Sequence, residues 1–265
     1  MIKQILLIWA VLSWVQPAYS EDMTGLDVMR LVVSRDDGND LIQHMKQRLI
    51  DKRGNVRERL MMSFSKDYGE DSKSITYFLQ PANVRDTAML TWDYADDNRD
   101  DDQWLYLPAL KKVRRISSSD RGDYFMGTDF TFEDIKSTPT LGDYQWTLAG
   151  SENIDGADVW VVDAEPKSKA LKKNLGYSKV RYYVRKDIHM YIKVDFWDIK
   201  GKELKHLVST DIKQVQGIWT AMQGVMSNVQ THHRTELTFS EQQYNTNLSN
   251  RMFSERMLKR GYRGQ

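Results

Sequence analysis

The chain has 265 residues, with 38 basic and 37 acidic side chains, a formal net charge of +1 and no cysteine. A balanced charge argues against a nucleic-acid partner, and the lack of thiols excludes disulfides, cysteine metal sites, thiol nucleophiles and the lipidated cysteine of a bacterial lipoprotein. At the start, Lys3 supplies a positive charge, Ile5 to Val15 is apolar except for Ser13, and Ala18-Tyr19-Ser20 is a small-x-small cleavage site, so residues 1–20 read as a secretory signal peptide. The apolar run is shorter than the roughly 20 residues of a spanning helix. The mature chain is therefore expected to begin at Glu21 and to be soluble in the periplasm. Without Lys3 the two signs balance at 37 each, and with no Pro/Gly/Ser-rich linker residues 21–265 are expected to form a single domain.

Thr24-Gly25-Leu26-Asp27 forms a capping-box pattern ahead of Leu26, Met29 and Val33 at helical spacing, which predicts a helix from Gly25 to Arg35. From Asp40 the period changes to two. Leu41 to Asp51 and Val56 to Lys66 read as a hairpin closed at Lys52-Arg53-Gly54-Asn55. Ser63-Phe64-Ser65-Lys66 matches the S-x-x-K of penicillin-binding enzymes, but it lies in a predicted strand and its S-D-N and K-T-G companions are absent, so no serine catalysis is expected. Strands follow at Ser74 to Gln80, Ala88 to Tyr94, Gln103 to Leu107 and Val113 to Ser117. Between them, Asp93, Asp96, Asp97, Asp100, Asp101 and Asp102 could attract a hard cation; without the glycine and terminal glutamate of an EF-hand, a solvated hairpin loop fits better, and a docking surface for a basic partner is a third option.

Gln103 to Ile135 is the most informative stretch. Trp104, Tyr106 and Pro108 share one strand face and Leu105 and Leu107 the other, so both faces need a cover, one of which could be a ligand. Arg114 and Arg115 point opposite ways; an inward arginine would need Asp129, Glu133 or Asp134, or a lipid head group, as its partner. Phe125, Met126, Phe130 and Phe132 then make a loop too apolar to lie in water.

In the second half, strands are predicted at Tyr144 to Ser151, Val159 to Glu165, Val180 to Arg185, Met190 to Trp197, Glu203 to Gln214, Ile218 to Val229 and Thr235 to Phe239. The short connections force antiparallel pairing, and Ile192, Val194 and Phe196 alternating with Lys193 and Asp195 mark a sheet with one dry and one wet face. Trp104, Tyr106, Trp146, Trp160, Phe196, Trp197 and Trp219 can be core or a lipid-contacting wall. The five histidines, His44, His189, His206, His232 and His233, lack metal-ligand spacing and read as surface or hairpin-end residues. Ser249 to Arg260 is predicted as a short helix, with Met252, Phe253 and Met257 packed and Arg251, Arg256, Lys259 and Arg260 exposed, suiting the helix dipole or an anionic membrane surface.

The order W-L-Y-L-P, R-R-I, F-M-G-x-D-F-x-F-E-D-I, and the closing Met252-Phe253-Ser254-Glu255-Arg256-Met257-Leu258, resembles the LolA-like family of outer-membrane lipoprotein-sorting proteins, in the branch associated with RND-type exporters. The resemblance implies a mainly β, LolA/LppX-like fold: an incompletely closed antiparallel β-barrel, a half-barrel of about a dozen strands, with a few lid helices and loops over an apolar cavity. The Gly25 to Arg35 helix and the Phe125 to Ile135 loop are the lid candidates. The expected function is a periplasmic carrier or chaperone that binds lipid or lipoprotein acyl chains and passes them towards the outer membrane or a membrane transporter. The alternative is a lipid-sensing regulator docking to a membrane-bound signalling protein. No catalysis, cofactor or metal is expected. The partners implied are acyl chains and an RND-type exporter or outer-membrane acceptor, and the chain is expected to be a monomer. The residues expected to contact the guest, in cavity or lid, are Trp104, Tyr106, Leu107, Arg114, Arg115, Phe125, Met126 and Phe130.

Overall fold

The computed structural model describes residues 23–97, 99–136 and 138–263; the signal peptide and its cleavage site lie outside the described residues. Helix α1 is Gly25–Val33, with Thr24 and Asp27 making the capping box expected of that pattern. Six strands follow, β1 (Asp40–Ile50), β2 (Val56–Tyr68), β3 (Asp71–Gln80), β4 (Ala88–Asp93), β5 (Asp102–Leu107) and β6 (Lys112–Ile116). After a long connection come β7 (Tyr144–Ile154), β8 (Ala157–Pro166), helix α2 (Lys169–Leu175), β9 (Tyr177–Arg185), β10 (Tyr191–Asp198), β11 (Glu203–Val215), β12 (Ile218–Asn228), β13 (His233–Tyr244) and helix α3 (Glu255–Arg260). No described helix is long and apolar enough to cross a membrane.

The strands form one 13-stranded sheet in the order β6-β5-β4-β3-β2-β1-β13-β12-β11-β10-β9-β8-β7. Every neighbour is antiparallel, as short connections require. The sheet is not closed: β6 and β7 are its edges, and the chain between them, 117–143, crosses from one edge to the other. The seam at its centre pairs β1 with β13 from Leu41↔Tyr244 to Ile50↔Arg234, with an irregularity between Ile42 and His44.

Period-two alternation gives the sheet two differently covered faces. On the inner face, α1 packs on β7 and β8, burying Val28, Met29 and Val32 with Phe130, Val162, Tyr182, Val194 and Met226. Gly25 fits only because it lacks a side chain, since a Cβ there would lie 2.7 Å from the backbone of Thr147. On the outer face of β2–β5, Phe64, Ile75, Tyr77, Leu90 and Trp104 are covered by Leu248, Met252, Phe253 and Leu258 from the C-terminal segment. That segment is a 3-10 turn at Asn250–Met252 followed by α3, rather than one helix from Ser249, because Phe253 at φ −92°, ψ 54° and extended Ser254 interrupt it. Helix α2 was not expected; Ser168 caps its start and Gly176, at φ 79°, ends it.

Asp40 ties the start of β1 to the segment that follows β13. Its buried carboxylate accepts hydrogen bonds from the Thr246 amide (2.7 Å), the Thr246 hydroxyl (2.8 Å) and the Leu248 amide (2.9 Å). Burial works against the charge, but these donors outweigh it and hold the pKa below the usual carboxylate value. Asp40→Ala is expected to cost about 1–3 kcal/mol and to release the C-terminal segment. Limited proteolysis with mass mapping should show early cleavage near 245–250, and an unchanged cleavage pattern would refute this role. Because the folded pKa is lowered, this stabilisation is present above the unfolded pKa and is lost as pH falls through the folded value.

Candidate functional site

The inner face and the crossing segment enclose a cavity of about 420 Å³, within the roughly 300–1,000 Å³ of small-molecule sites. Two materials make up its wall. One side is apolar, with Phe125, Phe130 and Ile135 from the crossing segment facing Leu207, Trp219, Leu237 and Phe239. The other is the β1–β4 floor, where Gln43, Ser63, Ser65, Ser74, Thr76 and Thr91 alternate with the methionines Met45, Met61 and Met89. The expected apolar cavity thus has one polar wall, where the inward positions of these strands carry mostly small hydroxyls.

The expected contact residues divide among three places. Phe125 and Phe130 line the cavity. Leu107 and Met126 pack against the cluster of Met61, Phe78, Met89, Leu105, Ile116, Phe125 and Phe132 that roots the lid. Met126 has φ 50°, and its carbonyl accepts from Arg59 at 2.9 Å. Trp104 and Tyr106 belong to the outer face, Trp104 edge-on to Trp92 at 5.1 Å under the C-terminal segment. Both faces of β5 thus have protein covers. Arg114 and Arg115 stand on edge strand β6, where nothing covers them; they are 52% and 67% exposed and pair with Asp120 and Asp102.

The carboxylates expected to await an arginine have other partners. Lys205, fully buried on β11, donates to the Asp129 carbonyl at 2.7 Å and to the Asp134 carboxylate at 2.5 Å. The rings of Tyr124, Tyr177 and Phe196 lie 5.1–5.3 Å from its ammonium. Burial pulls its pKa below the ordinary lysine value against the pull of Asp134. The Tyr177 hydroxyl donates to Asp134 at 2.9 Å, and burial raises its pKa further, well above the ordinary tyrosine value. Asp129 accepts from Thr235 at 2.7 Å and lies 2.7 Å from His233 Nδ1, so His233, at the end of the β12–β13 hairpin, anchors the lid.

A second group fixes the other end of the crossing segment. Arg121 donates to Glu133 at 2.8 Å and to Asp143 at 2.7 Å, and Lys136, 2% exposed, pairs with Asp101 and lies 3.6 Å from Glu133. Burial disfavours the Glu133 charge, but Lys136 and Arg121 hold its pKa below normal. Asp93 fares worse. Its carboxylate is 4.0 Å from Lys136, one oxygen is buried without a hydrogen-bond partner, and desolvation pushes its pKa up to about 7. Half of the acidic run is therefore structural rather than a solvated loop, since Asp93 and Asp101 meet Lys136 while Asp102 meets Arg115 and Tyr94. Among the described residues no three His, Asp or Glu side chains converge as a metal site.

A family described as an uncharacterised protein matches residues 70–260. A solved structure described as an outer membrane lipoprotein-sorting protein domain from Vibrio parahaemolyticus is 36% identical, covers 89% of this chain and 98% of its own, and superposes with a TM-score of 0.81. A DUF1329 family protein from Desulfovibrio piger is 32% identical over 88% of this chain and 97% of its own, with a TM-score of 0.82. A LolA superfamily protein from Nitrosomonas europaea, at 19% identity, 88% and 99% coverage and a TM-score of 0.68, shares the fold. Among curated proteins no sequence matches.

Proposed function

We infer that this chain, which belongs to the LolA-like family of outer-membrane lipoprotein-sorting proteins, is a periplasmic carrier that shelters an acyl chain and hands it on without making or breaking a bond. The observation that carries this reading is the cavity of about 420 Å³ held between an open sheet and an aromatic lid. Each methylene moved from water into such a site gains roughly 0.8 kcal/mol, so a long acyl chain can be held by surface burial alone. Phe125 and Phe130 contact the guest directly, and Met126 and Leu107 back them from the cluster that roots the lid. Trp104, Tyr106, Arg114 and Arg115 have no part in this proposal, because they face the outer cover or solvent.

Release requires the lid to move, and the buried ion pairs at both of its ends set the resistance to that movement. Transfer towards an outer-membrane acceptor or an RND-type exporter is the direction that follows from the reading, with the chain acting as a monomer. Native mass spectrometry of Glu21–Gln265, isolated from periplasm without detergent, is expected to show adducts with lipid masses. A clean mass that stays clean after incubation with acylated peptides would refute the carrier. Proximity labelling in cells should then mark transporters or outer-membrane proteins; labelling confined to a signalling protein would replace the carrier with the sensing regulator.

A further inference from the structure

The floor of the cavity has hydrogen-bonding capacity that the protein leaves unused. Cross-strand register sets its polar side chains in two adjoining rungs, Gln43, Ser63 and Thr76 across β1–β3, and Ser65, Ser74 and Thr91 across β2–β4. Ser63 and Thr76 bond one another at 3.1 Å. Gln43, Ser65, Ser74 and Thr91 line the cavity with no side-chain hydrogen-bond partner among the described residues, although Thr91 is only 5% exposed. Leaving such groups unpaired against a bare hydrocarbon loses the hydrogen bonds they make with water, so an alkyl chain laid along this floor would forfeit part of what its burial gains. The floor carries no charge. The cavity's ionic side chains are already paired, Lys136 with Asp101, Asp134 with Lys205, and Arg35 with Asp37, also in the lining, at 3.9 Å. An anionic head group would find no free cation on the floor, whereas an uncharged group rich in donors and acceptors would be satisfied.

We propose that the β1–β4 floor is a subsite for the neutral glycerol-ester part of an acylglycerol unit, with the acyl chain running from it onto Phe125, Phe130, Leu207 and Phe239. This rests on the carrier reading and adds to it a chemical preference. The test is displacement of N-phenyl-1-naphthylamine from Glu21–Gln265 by 1-monolauroylglycerol and by 1-dodecene, using the wild type and the variant S65A/S74A/T91V. The triple variant is expected to weaken monolauroylglycerol binding about tenfold, the equivalent of 1.4 kcal/mol lost in hydrogen bonds, while dodecene binding is unchanged or tightened, since no hydroxyl is then left unpaired against it. Equal losses for both compounds, or none for either, would overturn the subsite. If the triple variant does not fold, Thr91→Val alone is read by the same displacement, and an unchanged monolauroylglycerol affinity overturns it again. A wild type that binds the dye and both compounds but does not distinguish them from the variant sinks only the subsite; a wild type that binds none of the three sinks the carrier reading with it.

Discussion

Lys205→Met is expected to destabilise the fold by about 3–5 kcal/mol, because it leaves the Asp134 carboxylate buried without its cation. The methionine replaces most of the stem, so the loss measures the charge and its hydrogen bonds rather than a cavity. Asp134 would keep the Tyr177 hydroxyl and the Thr131 amide, at 2.9 and 2.7 Å, which are too few donors to hold an ion away from water. Urea unfolding should show the loss, and hydrogen exchange should show faster opening of the amides in 124–135. The double variant Lys205→Met with Asp134→Asn removes both charges and is expected to recover part of the stability. A double variant as unstable as the sum of the two single variants would mean that packing around Lys205, not the ion pair, accounts for the effect.

The second large effect is a pH dependence carried by Asp93. Its folded pKa of about 7 stands above the ordinary 3.8, so between these values the folded state binds the proton that the unfolded chain has released. Its contribution to stability is therefore fully present below the unfolded pKa and is lost as pH rises through about 7. Asp93→Asn cannot ionise and avoids the burial penalty at every pH. The variant is expected to be more stable than wild type by about 2–4 kcal/mol at pH 8, the advantage shrinking towards zero near pH 4. Lys136 remains paired in the variant through Asp101 and Glu133. Urea midpoints measured across this range decide the matter, and parallel profiles for the two proteins would refute it.

Most of the sheet was legible because alternation survives wherever one face is buried. The β1–β2 hairpin, with its turn on Asp51 to Asn55, lies where Leu41 to Lys66 predicts it. The same rule held the clue to Lys205, which shares parity with Leu207 and so faces inwards, and to His233 and Thr235, which share parity with Leu237. What alternation could not supply was the partner. Asp129 and Asp134 meet these residues from roughly 70 to 100 positions away, through a register that only the assembled sheet defines. The cover of the outward aromatics of β5 was hidden for a similar reason, since Trp104 and Tyr106 look alike whether a ligand or a distant C-terminal segment covers them. Helix α2 is too short and too lysine-rich for an apolar stripe to reveal; only Ser168 and Gly176 mark its ends.

The β1–β13 seam also bears on how the chain assembles. Strands β1–β6 and β7–β13 are each runs of nearest-neighbour hairpins, whose contacts lie close along the chain and need little loop closure to form. The seam instead joins residues up to 203 positions apart, as Leu41 and Tyr244 are, so its contact order is far higher than that of either half. The two meanders can therefore form on local contacts first, with their union through β1 and β13 as the slow step. Until that step each half presents an unpaired inner strand, so the interval before seam closure is when this protein is most exposed to edge-to-edge aggregation.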